Sequence, residues 1–185
     1  DAFYQGDIAQ KIAQYHKDNG GWVTADDLAT YEVNFETPLH TQYQGIDLYS
    51  CGPWSQGPVL PQTLNLLSGI DLKAMGHNSA AYVHTITEAL KLSFADRQRY
   101  YGDPKFVQVP LDTLLSADYA AARRKRIRAD AAAPGLPAAG DIAGYPPMIP
   151  LPPITPGDPN PPADTSFVCV IDKHGNAFAA TPSDG

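Results

Sequence analysis

Asp164-Thr-Ser-Phe-Val-Cys-Val-Ile-Asp-Lys-His-Gly-Asn-Ala-Phe-Ala-Ala-Thr181 is the stretch that decides how this chain folds. Thr165 to Asp172 is β-branched and apolar, Lys173 to Asn176 holds turn formers, and Ala177 to Thr181 is a second short apolar run. That pattern predicts a tight β-hairpin over 165–181, with its first strand buried. Thr165 stands where a Pro-rich segment enters the first strand. Such a threonine has an ordinary explanation, because β-branched residues suit strands. It also has a chemical one. If the peptide bond before Thr165 were cut, its hydroxyl and a new α-amine (reference pKa about 7.7–8.0) would share one residue, and the amine could act as general base for the hydroxyl.

Upstream, residues 134–162 hold eleven of the 18 prolines and neither Lys nor Arg. Proline removes donors and breaks helix interiors, so this segment is expected to be extended. Before it the chain reads mostly as helix. Ile8, Ile12 and Tyr15 mark one buried face of a helix over 4–19, which Gly20-Gly21 ends. Thr24 and Asp27 have capping-box spacing and open a short helix through Ala29. Tyr31 to Tyr43 alternates like a strand interrupted by Pro38, Gly45 turns the chain, and Ile46 to Ser50 is its partner.

After the loop Cys51 to Pro58 comes an apolar helix around Leu60 to Leu67. Asn78 and Ser79 can cap a long helix to about Tyr101, with Tyr82, Ile86, Ala89, Leu90, Ser93 and Phe94 facing inward. Ser116 starts another helix, which carries Tyr119 and ends in the basic run Arg123 to Arg128. No internal repeat is visible.

The chain has 185 residues, a 43% hydrophobic and 18% charged composition and a formal net charge of -7. It is long enough for a proper core. An acidic chain argues against general nucleic-acid binding, which needs a basic face. The two cysteines, Cys51 and Cys169, have no metal or redox spacing; buried free thiols are expected, with a disulfide between them as the alternative. The five histidines show no ligand spacing, so no metal site and no cofactor are expected. No run reaches the roughly 18 apolar residues of a membrane span. The helix-like opening and strand-like end suggest a longer parent, and nothing at Asp1 to Gln10 resembles a signal peptide.

Several short patterns, in order, resemble gamma-glutamyltranspeptidases. They are Phe3-Tyr4-x-Gly6, Gly20-Gly-x-x-Thr-x-x-Asp-Leu28, Tyr31, Pro38, Tyr43-x-Gly45, Pro53-x-Ser-x-Gly57, Leu64-Asn-x-Leu67 and Glu88-Ala89. More particular are Phe94-Ala-Asp-Arg97, Gly102-Asp-Pro-x-Phe106 with Val109-Pro110, and the segment Thr165 to Asn176. The resemblance implies an α+β chain that is part of an αββα sandwich of the N-terminal-nucleophile (Ntn) hydrolase kind. Three stretches follow from it: residues 1–133 as a helix-rich large-subunit segment, 134–164 as the Pro-rich lead-in, and 165–185 as the start of the small subunit.

By the same resemblance Asp164-Thr165 is the processing bond, Thr165 the nucleophile in self-cleavage and turnover, and Thr181 the threonine that orients it. The ordinary alternative for Thr181 is a strand-end hydroxyl bonded to nearby backbone. The implied partners are a small gamma-glutamyl or other acyl-amide substrate and the remainder of the large and small subunits. The family's carboxylate-binding Arg would lie before Asp1 and its oxyanion groups after Gly185. Members are often exported, which fits a periplasmic or extracellular setting.

The departures matter too. The family usually has Thr-Thr-His where this chain has Thr165-Ser166-Phe167, and Pro-Pro-Ser-Ser-Gly-Gly where it has Gly52-Pro-Trp-Ser-Gln-Gly57. Ser183 and Gly185 occupy the places of a Thr and of an Asn that helps hold the substrate's α-amino group. Ser183 is therefore the remaining substrate-binding candidate, and the pattern favours an amidohydrolase of open acyl specificity over a glutathione transpeptidase. A non-catalytic member that keeps the scaffold is the competing reading.

Four further features can be weighed for a role in the chemistry. Asp96, Arg97 and Asp103 read as helix-end ion pairs and a turn cap, and His84 as a boundary histidine. Arg123 to Arg128 reads as a solvated helix end suited to the helix dipole. Trp54 either lines a pocket or packs its loop.

Overall fold

A computed structural model of the chain describes residues 1–145 and 166–181. It forms two compact units, Asp1–Met148 and Ile149–Gly185. The described residues are helix-rich α+β, with two separate two-stranded antiparallel sheets.

The first unit opens with α1 (Asp7–Asp18), and Gly20 at φ 72 takes the left-handed conformation that stops it. The expected inward face is not buried: Ile8 and Tyr15 are exposed, and Ala9 is the buried residue. The physical reason is its neighbour. α1 packs against α2 (Ala25–Ala29), a helix too short to cover a whole apolar stripe. The capping box that starts α2 forms as its spacing predicts. Asp27 N–H donates to Thr24 Oγ1 at 3.2 Å, and Thr24 N–H donates to Asp27 Oδ2 at 2.8 Å.

Strand β1 is Leu39–Tyr43, shorter than the expected 31–43 run. Proline at 38 has no N–H for a ladder, and the residues before it form no strand. β1 pairs with β2 (Ile46–Ser50) from Leu39↔Ser50 to Tyr43↔Ile46. Gln44 and Gly45, both at positive φ (50 and 82), make the two-residue connection whose twist suits a hairpin.

The core lies among α3 (Val59–Leu67), α4 (Ala80–Tyr100) and α6 (Ala117–Arg124), with α5 (Leu111–Leu114) at one end. Ser79 and Ser116 cap α4 and α6 by accepting from Tyr82 N–H and Tyr119 N–H. Leu66, Leu67, Ala89, Leu92 and Ala120 form one apolar cluster; Val59, Tyr100, Tyr101, Leu114 and Ile142 form the other.

α4 is rotated from the expected orientation. Ala89 and Ser93 are buried as predicted, but so are Thr85, Glu88, Leu92, Ala95, Asp96 and Tyr100, whereas Leu90 is exposed. The helix is covered on two sides, by α3 and by the irregular chain after α6. A one-face periodicity cannot describe that.

The second unit contains the expected hairpin. β3 (Val168–Ile171) pairs with β4 (Ala177–Ala180), from Val168↔Ala180 to Ile171↔Ala177. Contrary to expectation, every β3 residue is exposed. Both cysteines are free, but they are exposed rather than buried. Cys169 lies on that uncovered hairpin, and Cys51 directly follows β2.

Candidate functional site

Asp172 builds the turn of the β3–β4 hairpin. Its Oδ1 accepts from His174 N–H at 2.8 Å and Asn176 N–H at 2.9 Å, and its Oδ2 accepts from Asn176 Nδ2 at 2.8 Å. The Asn176 side chain first, then the backbone donors, hold the carboxyl below its usual pKa. Gly175, at φ 84, supplies the left-handed step. Thr181 directly follows β4 and is exposed. Asp164, Thr165 and Ser183 lie outside the described residues.

The loop 51–58 is tied down by contacts that the sequence did not reveal. Glu36 reaches across from the stretch before β1. Its carboxylate accepts from Trp54 Nε1 at 2.9 and 2.8 Å and from Gly52 N–H at 3.3 Å. Ser55 Oγ donates to Gly52 O and accepts from Gly57 N–H, each at 3.0 Å. A Cβ at Gly57 would lie 2.0 Å from Cys51 O, so the loop closes only with glycine there. Trp54 itself remains exposed.

The most concentrated polar chemistry among the described residues lies inside the helical unit. Asp96, fully buried, accepts from Gln62 Nε2 at 2.7 Å, Gly140 N–H at 2.7 Å and Arg123 Nη2 at 3.2 Å. Tyr101 Oη donates onward to Gln62 Oε1 at 3.0 Å. Burial raises the Asp96 pKa, although Gly140 N–H and Arg123 oppose it. Burial also pushes the Tyr101 and Tyr119 hydroxyls well above the usual phenol range. The Tyr119 hydroxyl and Arg123 Nε have no hydrogen-bond partner among the described residues.

Two expectations are corrected here. Asp96 is not a helix-end ion pair with Arg97: its partner is Arg123, and Arg97 lies over the Phe94 ring at 5.5 Å. The start of the basic run is not solvated either. Arg123 is buried, and Arg124 donates to Leu66 O at 2.6 Å and Asn65 O at 3.0 Å, satisfying carbonyls at the end of α3. Asp103 does cap its turn, accepting from Lys105 N–H at 2.9 Å. His84 is a boundary residue, with Nε2 2.6 Å from Arg128 O.

Together these side chains fasten the chain that follows α6 along the length of α4. His84 meets Arg128 O. Glu88 accepts from Ala133 N–H at 3.0 Å, and Lys91 donates to Ala133 O. Arg123 holds Ala138 O at 3.0 Å and Asp96 holds Gly140 N–H. Tyr100 Oη donates to Gly140 O at 2.7 Å and accepts from Ile142 N–H at 3.1 Å. Among the described residues, no three His, Cys, Asp or Glu side chains are grouped to hold a metal.

A sequence profile described as gamma-glutamyltranspeptidase matches residues 1–184. The glutathione hydrolase proenzyme of Escherichia coli (strain K12) is 37% identical over 183 residues, which is 98% of this chain and 29% of that protein. The acylase ACY 1 proenzyme of Pseudomonas sp. (strain SE83) is 34% identical over 182 residues, again 98% of this chain and 29% of that protein. The crystal structure of Helicobacter pylori gamma-glutamyltranspeptidase superposes with a TM-score of 0.66 at 38% identity, over 71% of this chain and 38% of that one. The chain thus spans 29% of the length of these two curated relatives.

Proposed function

Because the chain belongs to the gamma-glutamyltranspeptidase family, we propose that it carries the processing bond and nucleophile of a self-cleaving N-terminal-threonine amidohydrolase or acyltransferase. The observation that carries this reading is the family match across 1–184, which runs through Thr165. The names of the relatives, glutathione hydrolase and acylase, support gamma-glutamyl or related amides as substrates.

In self-cleavage, the Thr165 hydroxyl attacks the Asp164 carbonyl and the amide becomes an ester, with the nitrogen leaving as the Thr165 α-amine. Water then hydrolyses the ester, leaving the Asp164 carboxylate and a free Thr165 hydroxyl. In turnover the α-amine takes the hydroxyl proton as Oγ attacks the substrate amide. The amine product leaves, and water or an acceptor amine releases the acyl group. Thr181 orients the nucleophile. Continuing the β3–β4 register by one step sets it opposite Phe167, two residues after Thr165. Ser183 contributes to substrate binding, and the remainder of the two subunits supplies the carboxylate-binding and oxyanion groups.

The hairpin also supports the αββα sandwich. Val168, Val170, Phe178 and Ala180 fall on one face; Cys169, Ile171, Ala177 and Ala179 fall on the other. Neither face is polar, as befits strands covered on both sides. The stretches 1–133, 134–164 and 165–185 are then the end of the large subunit, the lead-in to cleavage and the start of the small subunit.

The full-length precursor tests this directly. Mass spectrometry should find it split between Asp164 and Thr165, and Thr165→Ala should remain whole. A wild-type precursor that stays intact on long incubation refutes the proposal. It would favour the second reading, an unprocessed binding or structural member, to which the unusual Ser166-Phe167 and Gly185 point.

A further inference from the structure

We propose that the open groove between α3 and α4 seats an amphipathic helix from the part of the parent protein outside these 185 residues, and that this helix brings an acidic residue to Lys73. This rests on the longer parent that the family match implies and is independent of Thr165.

Tyr82, Ile86 and Leu90 recur every four residues along α4, a stripe patterned for burial. In the folded unit they line a groove of about 620 Å³ instead, and Leu90 stays exposed. α3 supplies the other wall with Leu60, Leu64 and Leu67, at spacings of four and three. Leu67 belongs to the apolar core, whereas Leu60 is half exposed, so the groove is an open extension of that core. The two helices run antiparallel: Gln62 bonds to Asp96 and Thr63 to Ser93. The other sides of α4 are taken by the contact with α3 and by the chain after α6. The stripe is left open on its outer side among the described residues.

Two antiparallel ridges with apolar side chains at spacings of three and four form a receptor for a third helix, whose own i, i+3, i+4 and i+7 side chains drop between them. An extended strand has period two and cannot follow both walls. Apolar surface continuous with a core ordinarily marks a contact. The parent itself is the source favoured by length. This chain spans 29% of the Escherichia coli and Pseudomonas proenzymes, so most of a protein of that size lies outside it. A tethered helix also acts at up to roughly millimolar effective concentration, which seats even a weak contact. The rim sets the charge. Lys73 forms no ion pair among the described residues, and the His77 ring packs edge-on against Tyr82 at 5.8 Å. None of the described lining residues carries a carboxylate. That end therefore selects Asp or Glu on the occupant.

The test uses the full-length parent with Leu90 replaced by photoreactive p-benzoylphenylalanine. Irradiation and peptide mass spectrometry are expected to join position 90 to a peptide outside 1–185 of the same molecule. That peptide should carry apolar residues at helical spacing and an Asp or Glu. Lys73→Glu should then lower the urea midpoint, and reversing the captured acid to Lys should restore it. If the probe at 90 prevents folding, position 60 on the opposite wall carries it. A product of twice the parent's mass would make the groove an interface between copies and overturn the proposal, as would the absence of any crosslink outside 1–185. So would bright fluorescence of an apolar dye on the wild-type parent that Leu90→Lys abolishes, because the groove would then be open. A captured peptide without an acid, or a Lys73→Glu midpoint equal to wild type, refutes the charge pairing. None of these readouts needs cleavage: the Thr165→Ala parent gives them equally, so failure of the Thr165 reading leaves the test of the groove intact.

Discussion

Asp96 and Arg123 form a buried ion pair, 3.2 Å apart, in which neither side chain has more than a tenth of its surface in water. A pair of this kind is held by what surrounds it. Asp96 also has Gln62 and Gly140 N–H, and Arg123 has Ala138 O. Removing one partner strands the other charge. Arg123→Met is expected to destabilise the chain by about 3–5 kcal/mol, and Asp96→Leu with Arg123→Met by less than the single change. Urea unfolding of both variants measures the difference. A double variant no better than the single would show that the pair itself stabilises.

The pH dependence of Asp96 has a definite sign. Burial raises its pKa, so the folded state keeps this proton to higher pH than the unfolded state does. Its contribution to stability is therefore largest in acid and declines as pH rises from the ordinary carboxylate range through the raised value. Asp96→Asn should remove that decline. The stability difference between wild type and variant, followed by urea midpoints across pH, should vary over that window; a pH-independent difference would contradict the assignment.

Asp172 behaves in the opposite way. Its pKa is lowered by Asn176 and the turn amides, so its hold on the hairpin turn is complete above the ordinary carboxylate value and is lost as pH falls through the lowered one. Exchange of the Asn176 amide should quicken over that acid range, once the intrinsic pH dependence of exchange is subtracted. In Asp172→Ala it should be fast at every pH.

Gly57→Ala places a methyl 2.0 Å from a backbone oxygen, where no flexible side chain can yield. The expected cost is about 1–3 kcal/mol, the usual range for overpacking. A thermal midpoint equal to wild type would mean that the loop relaxes freely.

If Thr181 orients the nucleophile, Thr181→Val should lower kcat about 10- to 100-fold, the equivalent of one charge-assisted hydrogen bond. Thr181→Ser should recover most of it. A valine variant with wild-type kcat would return Thr181 to its ordinary role at a strand end.

Much of this architecture is written in local chemistry. Thr24 with Asp27, Ser79, Ser116 and the Gln44-Gly45 turn act on neighbours within a few residues, so spacing alone announces them. The hairpin is legible for the same reason, since Asp172 and Asn176 close it locally. Asp96 is not legible in that way. A carboxylate in a helix normally marks the wet face, and its partners Gln62, Arg123 and Gly140 lie 34, 27 and 44 residues away. The Trp54–Glu36 tie spans 18 residues and was hidden likewise. At the candidate site, only the order of motifs points to Thr165 and Thr181 as the proposed nucleophile and its partner; no periodicity would do so.

The lag between α4 and the chain after α6 that is fastened along it has a consequence for biosynthesis. Gly140 is made 44 residues after Asp96, so at roughly 5–20 residues per second the ribosome leaves the helix waiting for about 2–9 s. During that interval Asp96 can pair with Gln62 from the outset and with Arg123 once 27 further residues are made, but Gly140 comes last. The helical unit thus passes through a nascent stage in which its central acid lacks one of its three partners, and only the arrival of Gly140 completes it.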